Sequence, residues 1–106
     1  MINIEDFRKL ELIVAQIKEV SEHPNADRLY VLKVDTGKEE RQLVAGIRKF
    51  YTKEQLLGRR VIMVANLEPA VIRGVESQGM ALAASDEQGI SILAPDRDVV
   101  LGSIVR

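Results

Sequence analysis

The side chains that could do chemistry in this chain lie in two runs. The first is His23-Pro24-Asn25-Ala26-Asp27. The second is Arg73-Gly74-Val75-Glu76-Ser77-Gln78-Gly79-Met80, and Lys33 and Arg41 stand between the two. Catalysis needs an activated nucleophile, a paired acid and base, or a metal. His23 is the sole imidazole, and its loop offers only Asn25 and Asp27. Ser77 sits in Glu-Ser-Gln-Gly, without the glycine that precedes the serine of a nucleophile elbow. With no cysteine and one histidine, a zinc centre, a thiol nucleophile and a disulfide framework are all disfavoured. The expectation is no catalytic residue, no metal and no cofactor, with His23 bonded to backbone in its loop. What remains is binding chemistry. Asn25, Ser77 and Gln78 supply neutral donors and acceptors, and the lysines and arginines supply charge.

The elements that must hold these groups can be read from punctuation and periodicity. Pro69 lacks an amide donor and ends any central strand, while Gly74 and Gly79 permit positive φ or close backbone approach. Residues 66–85 therefore read as strand, irregular connection, strand, with Arg73, Ser77 and Gln78 presented on the connection. A surface hairpin without a ligand fits the same residues, and both readings stand at this point. Asn3 with Ile4, Phe7 and Leu10 reads as a short capped helical turn that docks its apolar side, Phe7 included, on the body of the protein. Strands are expected at 11–20, 28–35, 41–45, 61–66 and 80–85, with shorter ones at 90–93 and 99–105. In the second strand Leu29 and Val31 compete with Leu32 and Val34 for the interior. The spacing also permits Lys33 and Arg41 to project from one sheet surface. Thr52 with Gln55 forms a capping-box pattern, and Gly58 stops the short helix that follows.

A length of 106 residues, 46% hydrophobic and 29% charged, predicts one globular domain. No apolar run approaches the roughly 20 residues of a membrane helix, and the first residues do not resemble a secretory signal. A cytoplasmic protein without a membrane partner is the expectation. The net charge of −1 argues against a generic polyanion binder. Its distribution is uneven, however, because residues 28–60 hold nine Lys/Arg and four Asp/Glu. That excess either makes one positive face or merely solvates exposed strands. A helix between the third and fourth of five strands recurs in Greek-key barrels of the OB type, whose sheet face and loops bind oligonucleotides. The expected fold class is thus all-β, a five-stranded OB barrel with terminal extensions that cover it or pair with another subunit. Aromatic residues make up only 4% of the chain, which disfavours a general single-strand binder and suits a reader of folded RNA. Tyr30 and Met80 read first as packed residues.

Taken in order, His23-Pro24-Asn25-Ala26-Asp27-Arg28-Leu29-Tyr30, Leu43-Val44-Ala45-Gly46, Asn66-Leu67-Glu68-Pro69 and Arg73 through Met80 resemble the tRNA-binding domain family. That family includes the C-terminal domain or β subunit of methionyl-tRNA synthetases and standalone tRNA-binding proteins. The resemblance spans about residues 4–104 and is strongest toward the methionyl-tRNA synthetase branch. It implies a non-catalytic OB-fold module that binds tRNA by shape and raises the tRNA affinity of a synthetase in cis or in trans. It also implies a homodimer built through the terminal extensions. Matching motif to motif, Asn25, Lys33, Arg41, Arg73, Ser77, Gln78 and Met80 are the expected RNA-binding residues. This chain departs from the family where it has Ile13, Gln16, Glu68 and Val71 in place of basic residues common there. Each lost cation removes a possible phosphate contact, so the implied affinity is weak to moderate, with the binding face confined to the basic middle third. A protein-interaction or chaperone-like dimeric module of the same fold is the alternative.

Overall fold

The computed structural model describes residues 1–106. One long strand, β1 (Leu12–Glu22), joins the two halves of a barrel. Its first half pairs antiparallel with β4 (Arg60–Val64), from Leu12 opposite Val64 to Gln16 opposite Arg60. Its second half pairs with β2 (Tyr30–Asp35), ending with Glu22 opposite Tyr30. The register slips between Ile17 and Glu19, so Lys18 is an extra residue. Such a bulge bends the strand and shifts its alternation by one. Ile13, Ala15 and Ile17 face the core before it, and Val20 packs against the core after it.

β3 (Glu40–Ala45) pairs with β2, and β7 (Met80–Ala81) pairs with β4, giving the order β3-β2-β1-β4-β7. This is an all-β, OB-like barrel, as the sequence led us to expect. In β2 the interior phase goes to Tyr30, Leu32 and Val34. Lys33 lies opposite Gln42, whereas Arg41 lies opposite Val34. Directly opposed residues share a sheet face. Lys33 and Arg41 therefore project from opposite faces, and the shared surface that their spacing permitted does not form. The helix α2 (Lys53–Leu56) has the expected capping box between Thr52 and Gln55. It plugs one end of the barrel with the buried Leu56. Gly58 N–H donates to the Ile17 carbonyl at 2.9 Å, fastening the helix exit to β1.

The connection expected to be irregular is an ordered hairpin, β5 (Ala70–Ile72) and β6 (Val75–Ser77). Its two loop residues, Arg73 and Gly74, have φ of 52° and 90°. Positive φ at both positions is what a type I′ turn requires. The expected fifth strand divides at Leu82. β7 stays on the barrel, while β8 (Ala83–Asp86) leaves to pair with β9 (Gly89–Ile92).

The C-terminal segment crosses the outside of β1 and β4. Val14 N–H donates to Ser103, Gly102 N–H to Val14, and β10 (Ile104–Val105) pairs with Leu12 and Ile13. Leu12, Val14 and Ile62 are therefore buried although they point away from the core. At the other terminus, α1 (Ile4–Phe7) is capped by Asn3 but buries none of its residues. Phe7 does not join the core as expected. It is half-exposed beside Ile104 and Val105. One helical turn has too few apolar residues to displace the strand already covering that surface.

Candidate nucleic-acid interface

The loop 23–28 and the β5–β6 hairpin, nearly fifty residues apart in sequence, are fastened to each other. His23 is 3% exposed. Its Nδ1 accepts from Asn25 N–H at 2.9 Å, and its Nε2 lies 2.9 Å from the Ile72 carbonyl oxygen. A ring nitrogen that accepts carries no proton, so the imidazole is the neutral Nε2–H tautomer and donates to Ile72. The backbone-bonded loop histidine read from the sequence is thus what the structure holds. Its second bond, into the hairpin, was not foreseeable, because nothing in the sequence brings Ile72 to residue 23. Arg73 Nη2 donates to the Asn25 carbonyl at 3.2 Å, and Asn25 Nδ2 lies 3.5 Å from the Arg73 carbonyl. Arg73 holds a left-handed conformation that costs an L-residue about 1–2 kcal/mol. These bonds hold it there with its remaining guanidinium donors at the surface.

Ser77 and Gln78 sit where the hairpin meets β3. Ser77 is 3% exposed, so the expected presentation at the surface is corrected. Its hydroxyl accepts from Val44 N–H and donates to the Gly79 carbonyl, both at 3.0 Å. Gln78 is half-buried. Its Oε1 accepts from Gln42 N–H at 2.9 Å, and its backbone N–H donates to Gln42 at 2.7 Å. Together these bonds satisfy the free edge of β3 and close the barrel, because an unpaired buried strand edge is costly. Gly79, with φ of 144°, follows at once. A Cβ there would stand 2.8 Å from both Met63 Cε and Val64 O, so only glycine fits.

Lys33 is half-buried on the outer face of β2 with Glu19 and Gln42 across from it. Gln42 Nε2 in turn donates to the Glu76 carbonyl at 2.8 Å, so Lys33 and the hairpin border one surface. Arg41 lies apart. Its guanidinium bonds the Ala65 carbonyl and pairs with Glu39 at 2.8 Å. Met80 is 48% exposed and lines an apolar groove of about 430 Å³ with Leu67, Ile72 and Ala83. Tyr30 is packed as expected, its hydroxyl donating to the Tyr51 carbonyl at 2.8 Å. The structure thus fastens Asn25 to Arg73, links Lys33 to the hairpin only through Gln42, uses Ser77 and Gln78 to close the barrel, and commits Arg41 to Ala65 and Glu39.

One charged cluster beside this surface was missed by the sequence reading. Glu22 takes ion pairs from Arg48 and from Lys53, the latter at 3.2 Å. The Lys53 hydrogen bond, then the charges of Arg48 and Lys53, hold its carboxyl below the usual carboxylate range. Arg48 also donates to the Ala26 carbonyl at 3.3 Å, which ties the cluster to loop 23–28.

Three comparisons bear on this arrangement. Residues 12–104 match the family model described as "Putative tRNA binding domain". The chain is 55% identical over 105 residues to a methionine–tRNA ligase of Thermococcus onnurineus and 58% identical to one of Pyrococcus horikoshii. In each case 99% of this chain is matched, but it spans only about 14% of the relative's length. Among solved structures, a MetRS related protein from Pyrococcus horikoshii superposes with a TM-score of 0.93 at 34% identity, covering 100% of this chain and 98% of that one. The chaperone CsaA of Bacillus anthracis gives a TM-score of 0.90 at 27% identity, covering 100% and 99%. With the family model spanning nearly every element described above, the chain belongs to the tRNA-binding domain family.

Proposed function

We propose that residues 1–106 act as one tRNA-binding domain without a catalytic centre, gripping folded RNA by shape. The observation that carries this reading is the mutual fastening of Asn25 and Arg73. Two distant elements present a prearranged set of donors, so little ordering cost is left for the moment of binding. Such donors suit phosphate, 2′-hydroxyl and backbone contacts, which dominate recognition of structured RNA. In this reading Asn25, Lys33 and Arg73 touch the tRNA, Met80 borders the site, and Ser77, Gln78 and Arg41 hold its scaffold. Attached to a methionyl-tRNA synthetase, or binding it as a separate subunit, the domain raises tRNA affinity while the catalysis happens elsewhere. The setting is cytoplasmic. The active unit is a homodimer joined through the terminal segments, where Ile4, Leu10, Val100 and Ile104 are exposed.

The test is fluorescence anisotropy with tRNA against duplex DNA at two salt concentrations. Lys33→Ala and Arg73→Ala should each weaken tRNA binding about tenfold, the scale of a hydrogen bond to a charged group. Stability should hardly change, because Lys33 has no carboxylate partner and alanine at 73 carries a similar left-handed cost. Unchanged affinity in both variants moves the site elsewhere. A second reading, a chaperone-like dimeric module, is favoured by the apolar groove at Met80 and the likeness to CsaA. Absence of both tRNA preference and salt dependence would select it.

A further inference from the structure

The surface that carries the family motifs is not where the positive charge is. Around it Lys33 and Arg73 stand against Glu19, Asp27, Glu68 and Glu76. The basic excess of the middle third lies instead on the flank that leads to α2. Arg28, Arg48, Lys49, Lys53 and Arg59 there outnumber Glu22 and Glu54, the carboxylates of the same segment, with Asp86 and Glu87 of the β8–β9 turn beyond Phe50. Arg28, Lys49 and Arg59 are exposed and have no carboxylate within 4.0 Å. Arg48, Lys49 and Lys53 line a cavity of about 420 Å³ together with Tyr30, Phe50 and Tyr51. Three of the chain's four aromatic residues thus meet three of its cations at one place. Phe50 is 46% exposed and rests against Gly89, where a Cβ would come within 2.6 Å of the ring. The Arg59 guanidinium lies over the Tyr51 ring, 5.8 Å from its centre. The patch is continuous with the motif loop, since Arg48 bonds the carbonyls of both Ala26 and Arg28 at 3.3 Å.

The geometry points to a second RNA contact here. The tRNA held at the Asn25–Arg73 surface runs its sugar-phosphate backbone along Arg28, Lys49 and Arg59 on the α2 flank, and this flank supplies most of the electrostatic binding. The inference rests on the proposed tRNA binding and adds where its charge comes from. Exposed, unpaired cations in a row hold a nucleic-acid backbone without reading sequence. A carboxylate-rich motif surface, by contrast, can orient RNA by hydrogen bonds but cannot attract it from a distance.

The two surfaces should separate in the salt dependence of binding. Each neutralised phosphate adds about 0.7–0.9 to the slope of log affinity against log salt. The double variant Arg28→Gln/Lys49→Gln removes two exposed, unpaired cations and should leave thermal unfolding unchanged. Measured by tRNA anisotropy across a KCl series, its slope should be shallower by between about one and two, with affinity lost evenly across different tRNAs. Arg59→Gln tests the third cation in the same way. Arg73→Ala and Lys33→Ala should weaken binding with a smaller change of slope. A double variant that binds with the wild-type slope and affinity, while the wild type binds tRNA, overturns this inference alone. A wild-type chain that does not bind tRNA overturns the proposed function, and this inference with it.

Discussion

His23 shows how a side chain that never touches a ligand can set a binding surface. It is buried, and it spends one ring nitrogen on the loop and the other on the hairpin. His23→Ala leaves Asn25 N–H and the Ile72 carbonyl without their partner, at a cost of about 1–3 kcal/mol for a group left unpaired. The loop and hairpin should then lose their fixed relation while every cation stays in place. The expected result is a several-fold loss of tRNA affinity with the wild-type salt slope, measured by anisotropy. A phosphate-contacting residue would change the slope instead. His23→Gln carries a donor and an acceptor but both at the end of its chain, so it can keep the bond to Ile72 without spanning back to Asn25 N–H as the ring does, and should fall between the two proteins. Asn25 and Arg73 were legible as binding candidates because the motif runs that resemble the family place a polar and a cationic side chain on turns. That they hold each other was not legible, because a type I′ turn has first to place residue 73 beside a loop formed fifty residues earlier.

At the scale of elements, the barrel's closure depends on side chains as much as on ladders. The edge of β3 is met by Ser77 Oγ and Gln78 Oε1, and Gly79 then passes beneath Met63 and Val64. Gly79→Ala meets backbone oxygen as well as a side chain, in a conformation alanine resists. It should destabilise the protein by about 2–4 kcal/mol, the range of the larger core substitutions, read as a lowered urea midpoint. Ser77→Ala should cost about 1–3 kcal/mol, since Val44 N–H is left buried and unpaired. The strands themselves were readable: the alternation of Ile13, Ala15 and Ile17, the capping box at Thr52 and the stop at Gly58 all rest on local chemistry. Three features were not readable, each for a long-range reason. The phase of β2 is decided by the core it faces, and the sequence offered two apolar sets. The run at 80–85 divides because Leu82 bonds both Ile62 and Leu93 across the sheet. Phe7 stays half-exposed because β10 already covers the surface it would need.

For the whole molecule, a net charge of −1 conceals an uneven distribution of charge, and Glu22 sits within its basic part. One carboxylate, at the end of β1, partly neutralises both Arg48 and Lys53 beside the motif loop. Its depressed pKa means that its ion pairs contribute stability above the unfolded value near 4.5, and that this contribution is lost as the pH falls through the lower folded value. Wild type and Glu22→Gln should therefore differ in urea midpoint at neutral pH and converge in acid. The same substitution should act in the opposite sense on binding. Glu22→Gln removes one negative charge from the flank and frees two cations to meet phosphate. Association with a polyanion is steered by local potential rather than total charge, so the variant should bind tRNA more tightly and with a steeper salt slope than wild type. A loss of affinity would mean that Glu22 serves only to position Arg48 against loop 23–28, and that the field of the α2 flank does not reach the RNA. A gain that vanishes in the background of Arg28→Gln/Lys49→Gln would show the flank's cations acting as one set.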